Sequence, residues 1–319
     1  MKNRKIFALI LALVLALSLT ACGGTEPVTE PVENSSTELN SVVVFNSGLC
    51  TVLEAFGKAD AIVGAYGTLA ETYGVPSCGA WNEVDVEAVI ATGAEAVFGY
   101  EKYTTEDQIS KLEQAGITCY FIELSTADTA AEEVAKLGEL FGCEEKAQVF
   151  VDLYNTYDAL LDEKLATVEP LNVYVEGTAK EPYKTANNTT AAHALVTGAG
   201  LVNIYADNET AYPERNLEAV ITADPDVIVK ICAAGSDPAE GYAEYAAGLS
   251  GVAAADQGKV ILLNNEVGTT AIGSVIGRLY IAQFAYPEVF ADVDVDAVYQ
   301  QFCTEFMGAE FAGSGAFAG

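Results

Sequence analysis

Histidine is nearly absent from this chain: His193 is the only one among 319 residues. A metal centre built from several imidazoles is therefore excluded, and no nucleophile–His–acid arrangement or phosphate-binding P-loop is visible. His193 sits in the apolar-rich stretch 190–196 and reads as a core or capping residue rather than a haem ligand. Basic residues are also scarce. Three of the 15 Lys and Arg (Lys2, Arg4, Lys5) lie at the N-terminus, leaving 12 against 46 Asp and Glu, a balance of −34. Nucleic acid and anionic lipid surfaces are unsuitable partners for such a body. The acidity by itself needs nothing more than a solvated surface. No Cys-x-x-Cys pair occurs among Cys22, Cys50, Cys78, Cys119, Cys143, Cys232 and Cys303, so no zinc pattern exists. Cys119 lies in the apolar run 117–124 and reads as a small core residue. Cys50 and Cys78 fall near loops at strand ends, where a disulfide or a ligand contact stands open beside two inert thiols.

Long apolar runs are missing too, with one exception. Residues 6–19 are Leu, Ala, Ile, Val and Phe with a single Ser. Fourteen residues fall short of the ~20 that a helical span needs. With Lys2, Arg4 and Lys5 before it, the run reads as the apolar part of a signal peptide covering 1–21. It ends in Leu19-Thr20-Ala21-Cys22, which resembles the bacterial lipobox: cleavage before Cys22 and lipidation of its thiol are expected. Residues 22–40 are rich in Glu, Pro, Ser and Thr and form the expected flexible tether, at most ~60 Å long. The protein is thus expected to be extracytoplasmic, held by lipid at the outer face of the cytoplasmic membrane. At the other end, the Gly/Ala-rich residues 309–319 are expected to fray.

What is present between these ends is an alternation of short β-rich runs and helical patterns, the sign of an α/β fold with parallel-rich sheets. Strands are predicted over 41–46, 61–66, 96–99, 117–124, 171–176, 226–231 and 260–263. Helices are predicted over 87–90, 105–114, 126–141, 271–284 and 295–306. A long apolar stripe through Ala147, Phe150, Val151, Tyr154, Tyr157, Leu161 and Leu165 predicts a helix over 144–169, ended by Glu169-Pro170. This helix would be a strut between a first lobe (41–143) and a second (170–308). The lobes echo one another: Val86-Glu87-Ala88-Val89-Ile90 matches Leu217-Glu218-Ala219-Val220-Ile221 without a gap, and an apolar strand follows both at the same offset. Gly198-Ala199-Gly200 follows a helical pattern and lacks a third glycine, so it reads as a helix end rather than a dinucleotide fingerprint.

These paired segments resemble those of the substrate-binding proteins of ABC importers for ferric siderophores, vitamin B12 and haem. Asn216-Leu217-Glu218 with Asp224-Pro225-Asp226-Val227-Ile228 is the fuller copy of the family signature; the first copy has Gly93-Ala94-Glu95 where Lys-Pro-Asp is usual. Tyr286-Pro287-Glu288-Val289-Phe290 before Tyr299-Gln300-Gln301-Phe302 is similar to the family's C-terminal pattern. The resemblance spans roughly 41–308. It implies two Rossmann-like lobes joined by one rigid linker helix, acting as a monomer, with ligand held in the cleft between them. It further implies no catalysis and no resident cofactor or metal, and a partner in the form of an ABC permease dimer that Glu87 and Glu218 would dock onto.

For the cleft, ligands of α/β lobes bind beyond the carboxyl ends of the strands. That rule selects Tyr66, Trp81 and Tyr100 in the first lobe, and Glu176, Tyr183, Lys184, Asn265 and Glu266 in the second. Arg278 resembles a family position in the last helical region, with a structural ion pair as the alternative. Flat aromatic walls suit a large rigid ligand. The expectation is an iron complex of the ferric siderophore type, with a cobalamin-like corrinoid or haem as the alternative. With only Lys102, Lys184 and Arg278 as cleft cations, a highly anionic ligand is disfavoured. An exported enzyme, or a sensory surface domain, is the competing class.

Overall fold

The structure is a computed structural model that describes residues 38–124, 127–179, 181–310 and 314–319. The expected signal peptide, Cys22 and all of the tether before residue 38 lie outside the described residues. Eleven strands form two main sheets and one hairpin. The first sheet contains β1 (Val42–Val44), β2 (Ile62–Ala65), β5 (Ala96–Phe98) and β6 (Thr118–Tyr120), in the spatial order β2-β1-β5-β6, all parallel. The hairpin is β3 (Gly79–Ala80) with β4 (Glu83–Val84). The second sheet contains β7 (Leu171–Glu176), β8 (Leu201–Asn203), β9 (Val227–Ile231), β10 (Val260–Leu263) and β11 (Ala316–Ala318), in the order β11-β10-β9-β7-β8. Its first four strands are parallel and β11 is antiparallel to β10. Read outward from the first strand of each, β2-β1-β5-β6 and β8-β7-β9-β10 are the same topology. In each sheet the order reverses at that first strand, which places the topological switch points at β1 and β7.

The internal repeat is equally plain in the helices. Val86–Thr92 and Leu217–Ala223 are both seven residues long. Asp85 and Asn216 cap them, each accepting a hydrogen bond from the N–H three residues on. Such a cap is worth ~1 kcal/mol. Each helix buries one central valine, Val89 or Val220, against the outer face of its sheet. Both end in a left-handed residue: Gly93 at φ 70° in the first, Asp224 at φ 45° in the second. The second copy thus tolerates a side chain where the first uses glycine.

The helix Glu144–Leu165 is 22 residues long, about 33 Å. It packs on the helix Ala130–Phe141 from the first sheet's side and on Ser274–Ala285 from the second's. A single buried cluster runs from Val42 and Phe98 through Phe150 and Tyr154 to Val173 and Leu263. Tyr154 Oη lies at the junction: it donates to Ala127 O at 2.8 Å, sits 3.0 Å from Ser274 Oγ, and accepts from Arg278 at 2.9 Å. Two sheets tied by one core and one phenol have little freedom to swing apart.

Two expectations at the C-terminus need correction. The tail does not simply fray: Ala316–Ala318 pairs with β10 as an edge strand, and Phe317 stacks edge-on to Tyr242 at 5.2 Å. Small residues let this strand lie close against Tyr280 and Tyr242. Nor does the last helical segment stay with the second lobe. After Val295–Gln301 the chain continues as a π-helical turn, Phe302–Met307, whose Phe306 packs on Phe150 (4.9 Å) and on Phe56 of the first lobe (6.2 Å). Among the described residues, no helix is long and apolar enough to cross a membrane.

Candidate functional site

In the first lobe the carboxyl ends of β2 and β5 flank the switch point and present Tyr66 and Tyr100. Trp81 sits at the tip of the β3–β4 hairpin, 49% exposed. The hairpin is fixed to the end of β2, with Cys78 N donating to Ala65 O and Asp85 N to Cys78 O. Gly79 has φ 121°, and a Cβ there would meet Glu83 O at 2.2 Å, so only glycine permits this tight return. Trp81 makes edge-to-face contacts with Tyr103 (5.1 Å) and Tyr100 (6.3 Å). Burial pushes the Tyr100 phenol up to about 12, with Tyr66 adding to the shift, so it stays a neutral donor. Trp81, Tyr100 and Tyr103 are therefore brought together as one aromatic cluster, with Tyr66 near Tyr100. The signal for Tyr103 was available, since it follows Tyr100 by one helical turn (Glu101–Tyr103).

In the second lobe, Glu176 ends β7 at the switch point and is 1% exposed. Its Oε1 accepts from Tyr174 Oη (2.8 Å) and Tyr183 N (3.0 Å), and its Oε2 faces Lys230 Nζ at 3.5 Å. Tyr183, at φ 61°, also donates to Gly248 O at 2.8 Å and so spans from its loop to the helix Pro238–Gly248. Behind it lies a cavity of about 750 Å³ lined by Glu176, Tyr183, Lys230, Cys232 and Tyr245 among others. Lys230 was missed from the sequence because the run Val227–Ile231 reads as a buried strand.

Tyr212 was missed as well. It is 53% exposed, in a loop fastened to the strand-like segment after β7: Thr185 N donates to Pro213 O, Asn187 N to Ala211 O, and Arg215 N to Tyr183 O. Its ring lies over Gly177, directly beyond β7. Tyr212 precedes Glu218 by six residues, the same spacing by which Trp81 precedes Glu87. The two repeats thus expose an aromatic at equivalent positions. Glu87 and Glu218 are themselves exposed in the first turns of their capped helices.

Other expected site residues lie elsewhere. Arg278 is 7% exposed and pairs with Asp158 at 2.8 Å while donating to Tyr154 Oη. It fastens the second lobe to the long helix, and its stem needs the space that Gly198 leaves. The structural ion pair given as the alternative for Arg278 is present. Asn265 and Glu266 open the short helix Asn265–Thr269, and neither lines the Glu176 cavity. Lys184 pairs through its backbone with Glu214 beside Tyr183. Lys102 lies 5.4 Å from the Tyr103 ring centre, and Arg215 lies over Tyr205 and bonds Asn208.

Cys50 and Cys78 form no disulfide; both are free and buried, and burial pushes their thiols up to about 12 and about 11. They are inert neutral thiols in the packing. His193 donates its backbone N–H to Thr190 and keeps its Nδ1 3.3 Å from Asn203, a structural position in its helix. Among the described residues, no group of three or more His, Cys, Asp or Glu could hold a metal ion.

A cobalamin-binding protein of Halobacterium salinarum is 29% identical over 260 residues, covering 71% of this chain and 69% of the relative. A vitamin B12-binding protein of Yersinia pestis is 23% identical over 150 residues, covering 47% of this chain and 53% of its own. Among solved structures, the TroA-like periplasmic binding protein FepB from Veillonella parvula superposes with TM-score 0.76 at 18% identity, over 88% of this chain and 95% of that one. The periplasmic vitamin B12-binding protein BtuF of Vibrio cholerae superposes with TM-score 0.61 at 18% identity, over 77% and 96%. These structures establish the likeness of fold. The model of the periplasmic binding protein family matches residues 42–267. The chain belongs to the periplasmic binding protein family, and is a binding protein rather than an enzyme.

Proposed function

We propose that this protein captures a corrinoid of the cobalamin type and delivers it to an ABC permease dimer. The observation that carries the reading is the pair of exposed aromatics, Trp81 and Tyr212, set at equivalent positions of the two repeats. Trp81 is backed by Tyr100 and Tyr103, so it is held with few rotamers to lose when a flat ligand covers it. A corrin is large, rigid and apolar over much of its faces, and such faces suit aromatic surfaces of this kind. The curated relatives named above are cobalamin-binding by description, which supports the same choice.

The ferric siderophore reading ranks second. Anionic iron complexes call for several free cations; Arg278, Arg215 and Lys230 are each committed to internal partners, which leaves, of the expected cleft cations, only Lys102 and Lys184. Glu87 and Glu218, exposed at matched positions, are suited to charge-assisted docking onto basic residues of a permease. The lipid on Cys22 would keep the body beside that permease at high effective concentration.

The test is a calorimetric titration of the body from residue 38 onward with cobalamin, a ferric catecholate siderophore, haem and ferric citrate. Saturable binding of cobalamin alone is expected. Binding confined to a ferric complex would replace the corrinoid reading with the second one.

A further inference from the structure

The cavity beneath the helix Pro238–Gly248 is not explained by aromatic faces. At about 750 Å³ it is within the range of small-molecule sites, and it is built entirely from second-lobe residues. Its electrostatics are one-sided. The single lysine is spent: the three donors of Lys230 are taken by Gly177 O and Ala179 O (2.8 Å each) and by Glu176 at 3.5 Å. Asp237 and Glu244 add two exposed carboxylates with no cation against them in the lining. Tyr245 Oη, another lining group, is buried beside the Glu176 carboxylate and makes no hydrogen bond of normal geometry. A buried hydroxyl left unmatched is costly, so its pairing is available to whatever enters.

We propose that this cavity is a side-arm pocket that receives an uncharged primary carboxamide projecting from the ligand, paired with Tyr245 Oη and closed to anionic arms. The assignment rests on the corrinoid reading, because the corrin periphery carries primary carboxamides. An amide both donates and accepts, so it satisfies a phenol in either direction without bringing charge. A carboxylate in its place would meet Asp237 and Glu244 with no free cation to offset them.

Two variants test this without disturbing the aromatic faces. Gly241→Leu narrows the cavity; a Cβ at Gly241 meets nothing nearer than Leu262 Cδ2 at 3.9 Å, and leucine favours the helix over glycine. Tyr245→Phe removes only a hydroxyl that makes no hydrogen bond of normal geometry, so it should fold about as well as the wild type. Calorimetry would compare cobalamin with its monocarboxylic derivatives, in which one peripheral amide is replaced by a carboxylate. The wild type should bind at least one isomer about tenfold more weakly than cobalamin. Tyr245→Phe should weaken cobalamin about fivefold, and Gly241→Leu about tenfold while erasing the discrimination between isomers. Equal affinity of all three proteins for cobalamin, or equal affinity of the wild type for every isomer, would overturn the side-arm pocket and leave the corrinoid reading standing. No binding of cobalamin to the wild type would overturn both.

Discussion

Replacing Trp81 by alanine should weaken the ligand far more than it weakens the fold. A tryptophan side chain offers ~250 Å² of surface, and 49% of Trp81 remains exposed in the free protein, so a ligand lying on it removes ~120 Å² from water. At ~25 cal/mol per Å² that is about 3 kcal/mol. Tyr103 and Tyr100 remain behind it and would still touch the ligand, which lowers the net loss to about 2–3 kcal/mol, or about 30-fold to 150-fold in Kd. The fold itself loses only edge contacts to two tyrosines, ~1 kcal/mol. Tyr212→Ala should behave alike, because 53% of Tyr212 is exposed. If the two residues act on separate parts of one rigid ligand, their losses add in the double variant. Isothermal titration calorimetry with cobalamin, paired with thermal unfolding, reads both quantities; fluorescence would not serve, since Trp81 is the only tryptophan. A Kd within twofold of wild type for both single variants refutes the aromatic reading.

Charge reversal at Glu87 and Glu218 together should leave ligand Kd unchanged and abolish stimulation of the permease ATPase in reconstituted vesicles; full stimulation by the doubly reversed protein would end the docking assignment. Arg278→Met should leave ligand Kd within twofold. Asp158→Ala should cost ~2–3 kcal/mol in urea unfolding, because it strands a buried guanidinium; Asp158 is itself 40% exposed, so the full penalty of a buried pair is not expected. An Arg278→Met variant that lost ligand instead would return Arg278 to the cleft. Burial holds the His193 imidazole below its ordinary value. A histidine depressed in the folded state favours the neutral form there, so its stabilising contribution is present above ~6.5 and is lost as pH falls below it. His193→Asn should flatten that part of the stability–pH curve, and the lone imidazole resonance in the NMR spectrum should titrate below 6.5; a midpoint above it contradicts the burial argument.

The α/β class, the long helix and the repeat were legible because each rests on local periodicity: Val42–Val44 and Val260–Leu263 are continuous apolar runs, and Glu144–Leu165 holds a stripe over six turns. That Trp81 and Tyr100 come near one another was suggested by their places, Tyr100 just after a strand and Trp81 in the loop before Glu87. The place of Arg278 was not legible, because only the fold reveals that Asp158 and Tyr154 come to meet it across more than a hundred residues. Lys230 was hidden for a related reason. An isolated charge inside Val-Ile-Val-Lys-Ile reads as part of a strand, and its carbonyl partners Gly177 and Ala179 belong to a distant loop. The strand at 316–318 escaped notice because Gly and Ala carry little β propensity; pairing with β10 and contact with Tyr242 supply what the local sequence lacks.

Tyr212 could have been found from the sequence. The spacing from Trp81 to Glu87, carried over to Glu218, lands on it directly. What the structure contributes is the reason that spacing matters. In the first repeat, the six residues form a hairpin and a cap: Trp81 at the turn, Asp85 holding the helix N-terminus, Glu87 in its first turn. In the second, Tyr212 lies in a loop pinned by Pro213 and Ala211, and Asn216 holds the helix that carries Glu218. In both, the aromatic proposed to meet ligand and the carboxylate proposed to meet a permease are joined through one short, hydrogen-bonded segment. A shift of the aromatic on ligand binding would therefore move the cap and the glutamate with it. Because Tyr154 and the shared core hold the two sheets together, such shifts are small. Loading would then be sensed as a small change in the separation of Glu87 and Glu218, and not as a hinged closure. Spin labels placed at Asp107 and Glu240, exposed sites on separate lobes, should therefore give the same distance distribution with and without cobalamin; a shift of several ångströms would show that the lobes swing after all.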